Sequence, residues 1–212
     1  MDNLLAKTPI FIVSGPSSVG KSRVIKQMKL LYPEIDFIVS YTTRAIRANE
    51  VADKDYHFVS EAHFDRMIEE GAFLEWEKSQ LGWYGTPYGD VCEAIEMGKC
   101  VLMDISSQGF VKLRQCSVEA YGAFLLPESL SLLAERIRAR GADRGIVTEA
   151  DFTLRYQHAL EMIRHAGKYD LIKVNEDVKD TAQTLIEWMR TIQTISSKTK
   201  VLSDWMEVNK RV

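Results

Sequence analysis

Residues Phe11 to Met28 read FIVSGPSSVGKSRVIKQM: an apolar run, a polar turn rich in glycine and serine, then a segment with helical spacing. An apolar run without polar alternation marks a strand buried on both faces, as in parallel sheets covered by helices. Within the turn, Gly15, Gly20, Lys21 and Ser22 have the P-loop spacing G-x-x-x-x-G-K-[ST]. Such a turn binds an anion because its glycines let backbone N–H groups approach and the following helix N-terminus adds positive potential. Gly15, Pro16, Ser17, Ser18, Val19, Gly20, Lys21 and Ser22 are therefore candidate contacts to a nucleotide's phosphates, with Lys21 on the β- and γ-phosphates. The Ser22 hydroxyl is a candidate ligand for Mg²⁺.

Three further apolar runs, Cys100 to Ser106, YGAFLLP and YDLIKVN, alternate with helical stretches, which predicts an α/β fold. Val91, Ala94 and Ile95 form one helical face closed by Gly98; Leu130, Leu133, Ala134 and Ile137 form another that stops at Gly141. Phe152, Tyr156, Ala159, Leu160 and Ile163 make a longer stripe, and a last helix is expected from Asp180 to about Thr194. The region from about Phe37 to Tyr88 differs, with short strand-like pieces and one helix, Glu61 to Glu70, capped by Ser60 and ended by Gly71. It reads as a mostly β insertion, in which Trp76 and Trp83 are expected in the core. Ala142 to Thr148 reads as a mobile loop, and Val201, Leu202, Trp205 and Met206 as one side of a short terminal helix expected to pack back on the core, with a dimer contact as the alternative.

Asp104 ends the second apolar run, where a Walker-B acid would support the metal through water. In SYTTRAIRANE, Arg44 and Arg47 stand among hydroxyl side chains, and guanidinium binds phosphate bidentately. This segment is a candidate site for a phosphorylated acceptor.

At this point the chain resembles the guanylate kinases. The segments GPSSVGKS, SYTTRAIRANEVADKDYHFVS, GAFLEWEKSQLGWYGTP, VLMDISSQG and RIRARG…YDLIKVNED carry the likeness in order from about Ile10 to about Met189. The resemblance implies a P-loop NTPase three-layer sandwich with a five-stranded parallel core sheet, a β-rich GMP-binding lobe and a helical lid. Its expected boundaries are a domain at 8–196 with core 8–36 and 89–196, lobe 37–88 and lid 136–158, then a tail at 197–212. It implies Mg²⁺-dependent transfer from ATP to GMP or dGMP, giving ADP and GDP. Arg44, Arg47, Tyr56 and Tyr84 would hold the GMP phosphate; Ser40, Glu75 and Thr86 would meet the guanine, with Asp104 and Ser106 near it. Lys21, Arg47, Arg140 and Arg155 would be catalytic, and Arg136 and Asn175 would contact ATP. Several residues depart from the family pattern: Ser18 replaces a glycine, Ile46 a proline, Asn49 and Asp53 glycines, and Ser106 an aspartate that helps recognise guanine. Serine leaves Glu75 as the main acidic reader of the base.

Other functions fit less well. A formal net charge of −3 argues against general nucleic-acid affinity. Three scattered cysteines make neither a disulfide framework nor a zinc site, and no segment has a membrane span or signal peptide. A cytoplasmic protein, monomer or homodimer, is expected. His158, Glu161 and His165 read as a solvated face, and Arg136, Arg138, Arg140 and Arg144 as a phosphate lid. The alternatives are a catalytically weak binding module of the same fold, argued against by the intact Lys21 and Ser22, and a kinase with a shifted nucleotide acceptor.

Overall fold

The computed structural model describes residues 5–48, 50–79, 81–116, 118–142 and 148–209, with side chains omitted at 140–142, 200 and 202–209. Nine strands, seven α-helices and a short 3-10 helix at Ala166–Lys168 are formed by these residues. They run β1 (Ile10–Ser14), α1 (Lys21–Leu31), β2 (Ile35–Phe37), β3 (Tyr41–Thr42), β4 (His57–Phe58), α2 (Glu61–Glu69), β5 (Phe73–Ser79) and β6 (Gly82–Pro87). The chain continues through α3 (Tyr88–Glu96), β7 (Cys100–Met103), α4 (Ser107–Gln115), β8 (Ala120–Pro127), α5 (Leu130–Ala142), α6 (Glu149–Arg164), β9 (Leu171–Asn175) and α7 (Val178–Asn209).

A five-stranded sheet has the order β2-β7-β1-β8-β9, and a separate four-stranded sheet the order β4-β3-β6-β5. The first contains the four apolar runs; β1, β7 and β8 are covered on both faces as expected, whereas the edge strand β9 leaves Ile172 and Val174 exposed. β2 pairs in parallel with β7, Ile35 opposite Cys100, and β8 in parallel with β9, ending with Pro127 opposite Asn175. The second sheet is mixed: β3 is parallel to β4 and antiparallel to β6, and β5 is antiparallel to β6.

The chain divides into two compact units. One comprises Met1–Ile10, Glu34–Met103 and Gln108–Ala120, and carries the four-stranded sheet. Its core includes Phe64, fully buried and stacked on Phe73 with ring centroids 4.5 Å apart. Val91, Ala94 and Ile95 of α3 are buried as their spacing predicts. Ser60 caps α2, its hydroxyl accepting the His63 N–H at 3.2 Å, and Gly71 ends that segment with φ +66°. Trp76 departs from expectation: it is 39% exposed and meets Trp83 edge-on, 5.5 Å between centroids.

The other unit comprises Phe11–Pro33, Asp104–Ser107 and Tyr121–Val212. Phe11 packs between Tyr121 and Trp188, and the stripes of α5 and α6 meet through Leu133, Ile137, Phe152 and Ala159. Arg138 ties the same two helices, its guanidinium 3.7 Å from the Phe152 ring centroid and 3.1 Å from Glu149. The last helix differs from expectation. α7 continues into the expected tail as far as Asn209, with Ala182, Leu185, Ile186 and Met189 buried and Ile195 and Val201 exposed; the side chains of Leu202, Trp205 and Met206 lie outside the described residues. The expected mobile loop falls at 143–147, outside the described residues.

Candidate functional site

β1 delivers the chain into the turn at Gly15, and α1 begins at Lys21. Gly20 has φ +103°, and a Cβ there would lie 2.8 Å from the Asn175 amide nitrogen, so both conformation and space demand glycine. Ser18 has φ +67° and Asp53 φ +62°, so two positions that resemble substituted glycines keep the left-handed backbone. Asn49, the third, lies outside the described residues.

The Lys21 ammonium donates to the Gly15 carbonyl at 2.8 Å and lies 3.9 Å from the Asp104 carboxylate. Asp104 directly follows β7, with Ser106 two residues on, just before α4. Burial pushes the Asp104 carboxyl up from its ordinary range, against the pull of Lys21. Ser22 is exposed in the first turn of α1. Asn175 is buried at the end of β9 and donates from Nδ2 to the Val19 carbonyl at 2.8 Å. In this structure it pins the turn from behind, a role the sequence does not announce.

In the unit that carries the second sheet, β5 and β6 place Glu75 directly opposite Thr86. Both are buried, and the Thr86 hydroxyl donates to Glu75 Oε1 at 2.6 Å. Burial raises the Glu75 carboxyl to about 7; the Thr86 bond opposes the rise, Glu77 adds to it, and Lys112 opposes it. Lys112 is held nearby, donating to the Trp76 carbonyl at 3.3 Å. Ser40 is half-buried just before β3, and its carbonyl accepts the His57 N–H.

Arg44 and Arg47 follow β3 in an irregular segment. Gly82, φ +140°, allows β6 to lie against that segment: a Cβ there would meet Thr43 Oγ1 at 2.8 Å and the Arg44 nitrogen at 2.9 Å. Arg44 is buried; its Nε donates to the Tyr84 hydroxyl at 3.1 Å, and its guanidinium lies 4.8 Å from the Tyr56 ring centroid. Tyr56 and Tyr84 themselves meet edge-on, 5.8 Å between centroids. Four predicted residues, Arg44, Arg47, Tyr56 and Tyr84, thus converge with a fifth that sequence reasoning missed. Glu50 accepts from Arg44 at 2.6 and 2.7 Å, and from the Arg47 backbone and guanidinium at 3.0 and 3.3 Å. Its spacing, three residues beyond Arg47, is the one signal the sequence carried. Burial by itself would raise the Glu50 carboxyl, but Arg44 and Arg47 hold it below its ordinary value.

Of the lid candidates, Arg136 on α5 and Arg155 on α6 are half-buried, and their side chains make no hydrogen bond or ion pair to another described residue. The backbone of Arg140 belongs to α5, and its side chain and Arg144 lie outside the described set.

Comparison with known proteins fits this arrangement. The family model for guanylate kinase matches residues 7–192. A guanylate kinase of Caldanaerobacter subterraneus subsp. tengcongensis is 37% identical over 169 residues, 80% of each chain. One from Clostridioides difficile is 38% identical over 176 residues, 83% of this chain and 84% of the relative. The crystal structure of guanylate kinase from Anaplasma phagocytophilum superposes with a TM-score of 0.70 at 27% identity, covering 87% of this chain and 85% of that one. With its P-loop, its paired sheets and this match along most of its length, the chain belongs to the guanylate kinase family.

Proposed function

We propose that this guanylate kinase moves the γ-phosphoryl group of ATP onto the phosphate of GMP or dGMP. An anionic oxygen of the acceptor phosphate forms a bond to the γ-phosphorus, and the bond from that phosphorus to the bridging oxygen of ADP breaks, giving GDP or dGDP. The attacking oxygen is already ionised, so no general base is required; positioning and charge neutralisation supply the rate. Lys21 releases the Gly15 carbonyl for the phosphates of ATP, while the backbone N–H groups between Ser17 and Ser22 cradle them. Arg44, Arg47, Tyr56 and Tyr84 receive the acceptor phosphate, and Arg136, Arg140 and Arg155 meet the ATP phosphates or the transferring group.

The observation that carries the choice of acceptor is the buried Glu75–Thr86 pair. An ionised carboxylate accepts from N1–H and the 2-amino group of guanine together, donors that adenine does not present in that arrangement. Ser40 completes the contacts to the base, and Ser106 stands where a second acid would read the 2-amino group.

The Ser22 hydroxyl and the Asp104 carboxylate are hard oxygen donors of the kind Mg²⁺ selects, so the residues fit that ion, with Asp104 acting through water. Bound there, Mg²⁺ would supply charge neutralisation on the nucleotide phosphates. We place the enzyme in the cytoplasm, where free cysteines stay reduced, as a monomer or homodimer. Among the described residues, no helix is long and apolar enough to cross a membrane.

Phosphorus NMR of the protein with ATP and GMP tests the reading. Equal appearance of ADP and GDP, abolished by a chelator and restored by Mg²⁺, is the expected result. ADP with free phosphate and no GDP would refute the transfer.

A further inference from the structure

Two arginines and one carboxylate share the acceptor-phosphate cluster, and they share it unequally. Arg44 has five N–H donors, and four are already committed: Nε to Tyr84, Nη1 to both Ala45 and Glu50, and Nη2 to Glu50. Its side chain is 5% exposed. Arg47 is different: one guanidinium N–H reaches Glu50, at the longer distance of 3.3 Å, and its side chain is 28% exposed. Glu50 thus grips Arg44 with both oxygens and touches Arg47 mainly through that residue's backbone N–H at 3.0 Å.

We propose that Glu50 is a positioning residue that divides the labour of the arginine pair: it grips Arg44 as a fixed, buried cation with most of its donors committed and leaves Arg47 as the arginine that takes the acceptor phosphate through several hydrogen bonds. The inference rests on reading this cluster as the GMP phosphate site. Arg44 so held still contributes its charge and its one uncommitted N–H. It also fixes the Tyr84 hydroxyl, whose lone pairs face the Arg44 Nε, so that the tyrosine's own O–H is available to donate. Without the carboxylate, two like charges would repel and the guanidinium of Arg44 would swing among its remaining partners. A phosphate arriving there would have to order both arginines at its own expense. The alternative is that Glu50 is a placeholder which the phosphate displaces, and the two ideas predict opposite signs.

The experiment is calorimetric titration of the whole protein with GMP and with guanosine, which presents the same base without the phosphate. Glu50→Gln keeps the shape and one acceptor but loses the charge. GMP binding should weaken about ten-fold, the worth of one charge-assisted bond, with guanosine binding unchanged to within about two-fold. The GMP KM should rise by a similar factor with kcat at saturation nearly constant. Should that variant fold poorly, Glu50→Asp carries the test. Its shorter side chain cannot grip Arg44 and the Arg47 backbone together, so a selective loss of GMP over guanosine of roughly three-fold is expected. Unchanged or tighter GMP binding in the variant that folds would overturn the proposal in favour of a displaced placeholder. Equal losses for GMP and guanosine would overturn it in favour of a merely structural acid. Arg47→Ala separates the two levels of the argument. If it lowers the GMP-to-guanosine ratio while the Glu50 variants do not, positioning alone fails; if it leaves the ratio unchanged, the phosphate-site reading fails and the proposal with it.

Discussion

Glu75 is a carboxyl placed where its charged form is costly. Its value near 7 in the folded protein, against an ordinary 4.5, means that the native state binds more protons than the unfolded chain between those two pH values. Stability from this residue therefore falls as pH rises from about 4.5 to about 7, by up to about 3 kcal/mol, and stays lower above that. Glu75→Gln removes the cost while retaining an acceptor for the Thr86 hydroxyl. Denaturant unfolding should find the variant more stable than wild type at pH 8 and indistinguishable at pH 4, while kcat/KM for GMP drops about a hundred-fold. A variant no more stable at pH 8 would show that the burial cost is absent. Lys21→Ala should act the other way, leaving unfolding almost unchanged and lowering the rate by about two to three powers of ten, measured at saturating ATP and GMP. At this scale the sequence was most legible where a residue type has one chemical use, as with Lys21 in its loop or the paired arginines. It was least legible where a side chain serves another side chain. Glu50 drew no reading of its own, and Asn175 entered only as an ATP contact implied by the resemblance, because their protein partners are fixed by tertiary packing.

Elements show the same division. β1, β7 and β8 of the parallel sheet were legible as apolar runs, since both of their faces are covered; β9 was legible as one although Ile172 and Val174 are exposed. The three-residue β2 buries Ile35 fully and leaves Asp36 and Phe37 half-covered, too short a pattern to be recognised. β6 holds two glycines and a proline, poor strand formers, and is built by its pairing with β5 rather than by propensity. α4 opens on Ser-Gln-Gly, directly after Ser106, a stretch that reads as a turn, and α7 runs on well past Met189 because nothing in its sequence breaks a helix. The approach of β6 to the arginine segment is testable through Gly82. Gly82→Ala adds a Cβ into Thr43 and the Arg44 backbone and requires a positive φ of alanine, so it should destabilise the protein by about 1–3 kcal/mol. The strain falls on the segment that bears Arg44 and Arg47. Steady-state kinetics should accordingly show a rise in the KM for GMP several times larger than any rise in the KM for ATP; equal changes in both would contradict that placement.

At the scale of the whole molecule, the order of motifs along most of the chain identified the family, and the fold followed from it. What the order of motifs leaves open is how strictly this chain selects its acceptor, because Ser106 replaces one of the two acids expected around the base. The central claim is that a P-loop donor site serves a guanine-reading acceptor site built on Glu75 and Thr86. The most direct measurement is coupled ADP release at saturating ATP with GMP, dGMP, IMP, AMP, CMP and UMP as acceptors. The account predicts kcat/KM highest for GMP and dGMP, lower for IMP, which lacks the 2-amino group, and at least about a hundred-fold lower for AMP. Comparable turnover of AMP, or ADP release that needs no nucleoside monophosphate, would contradict it.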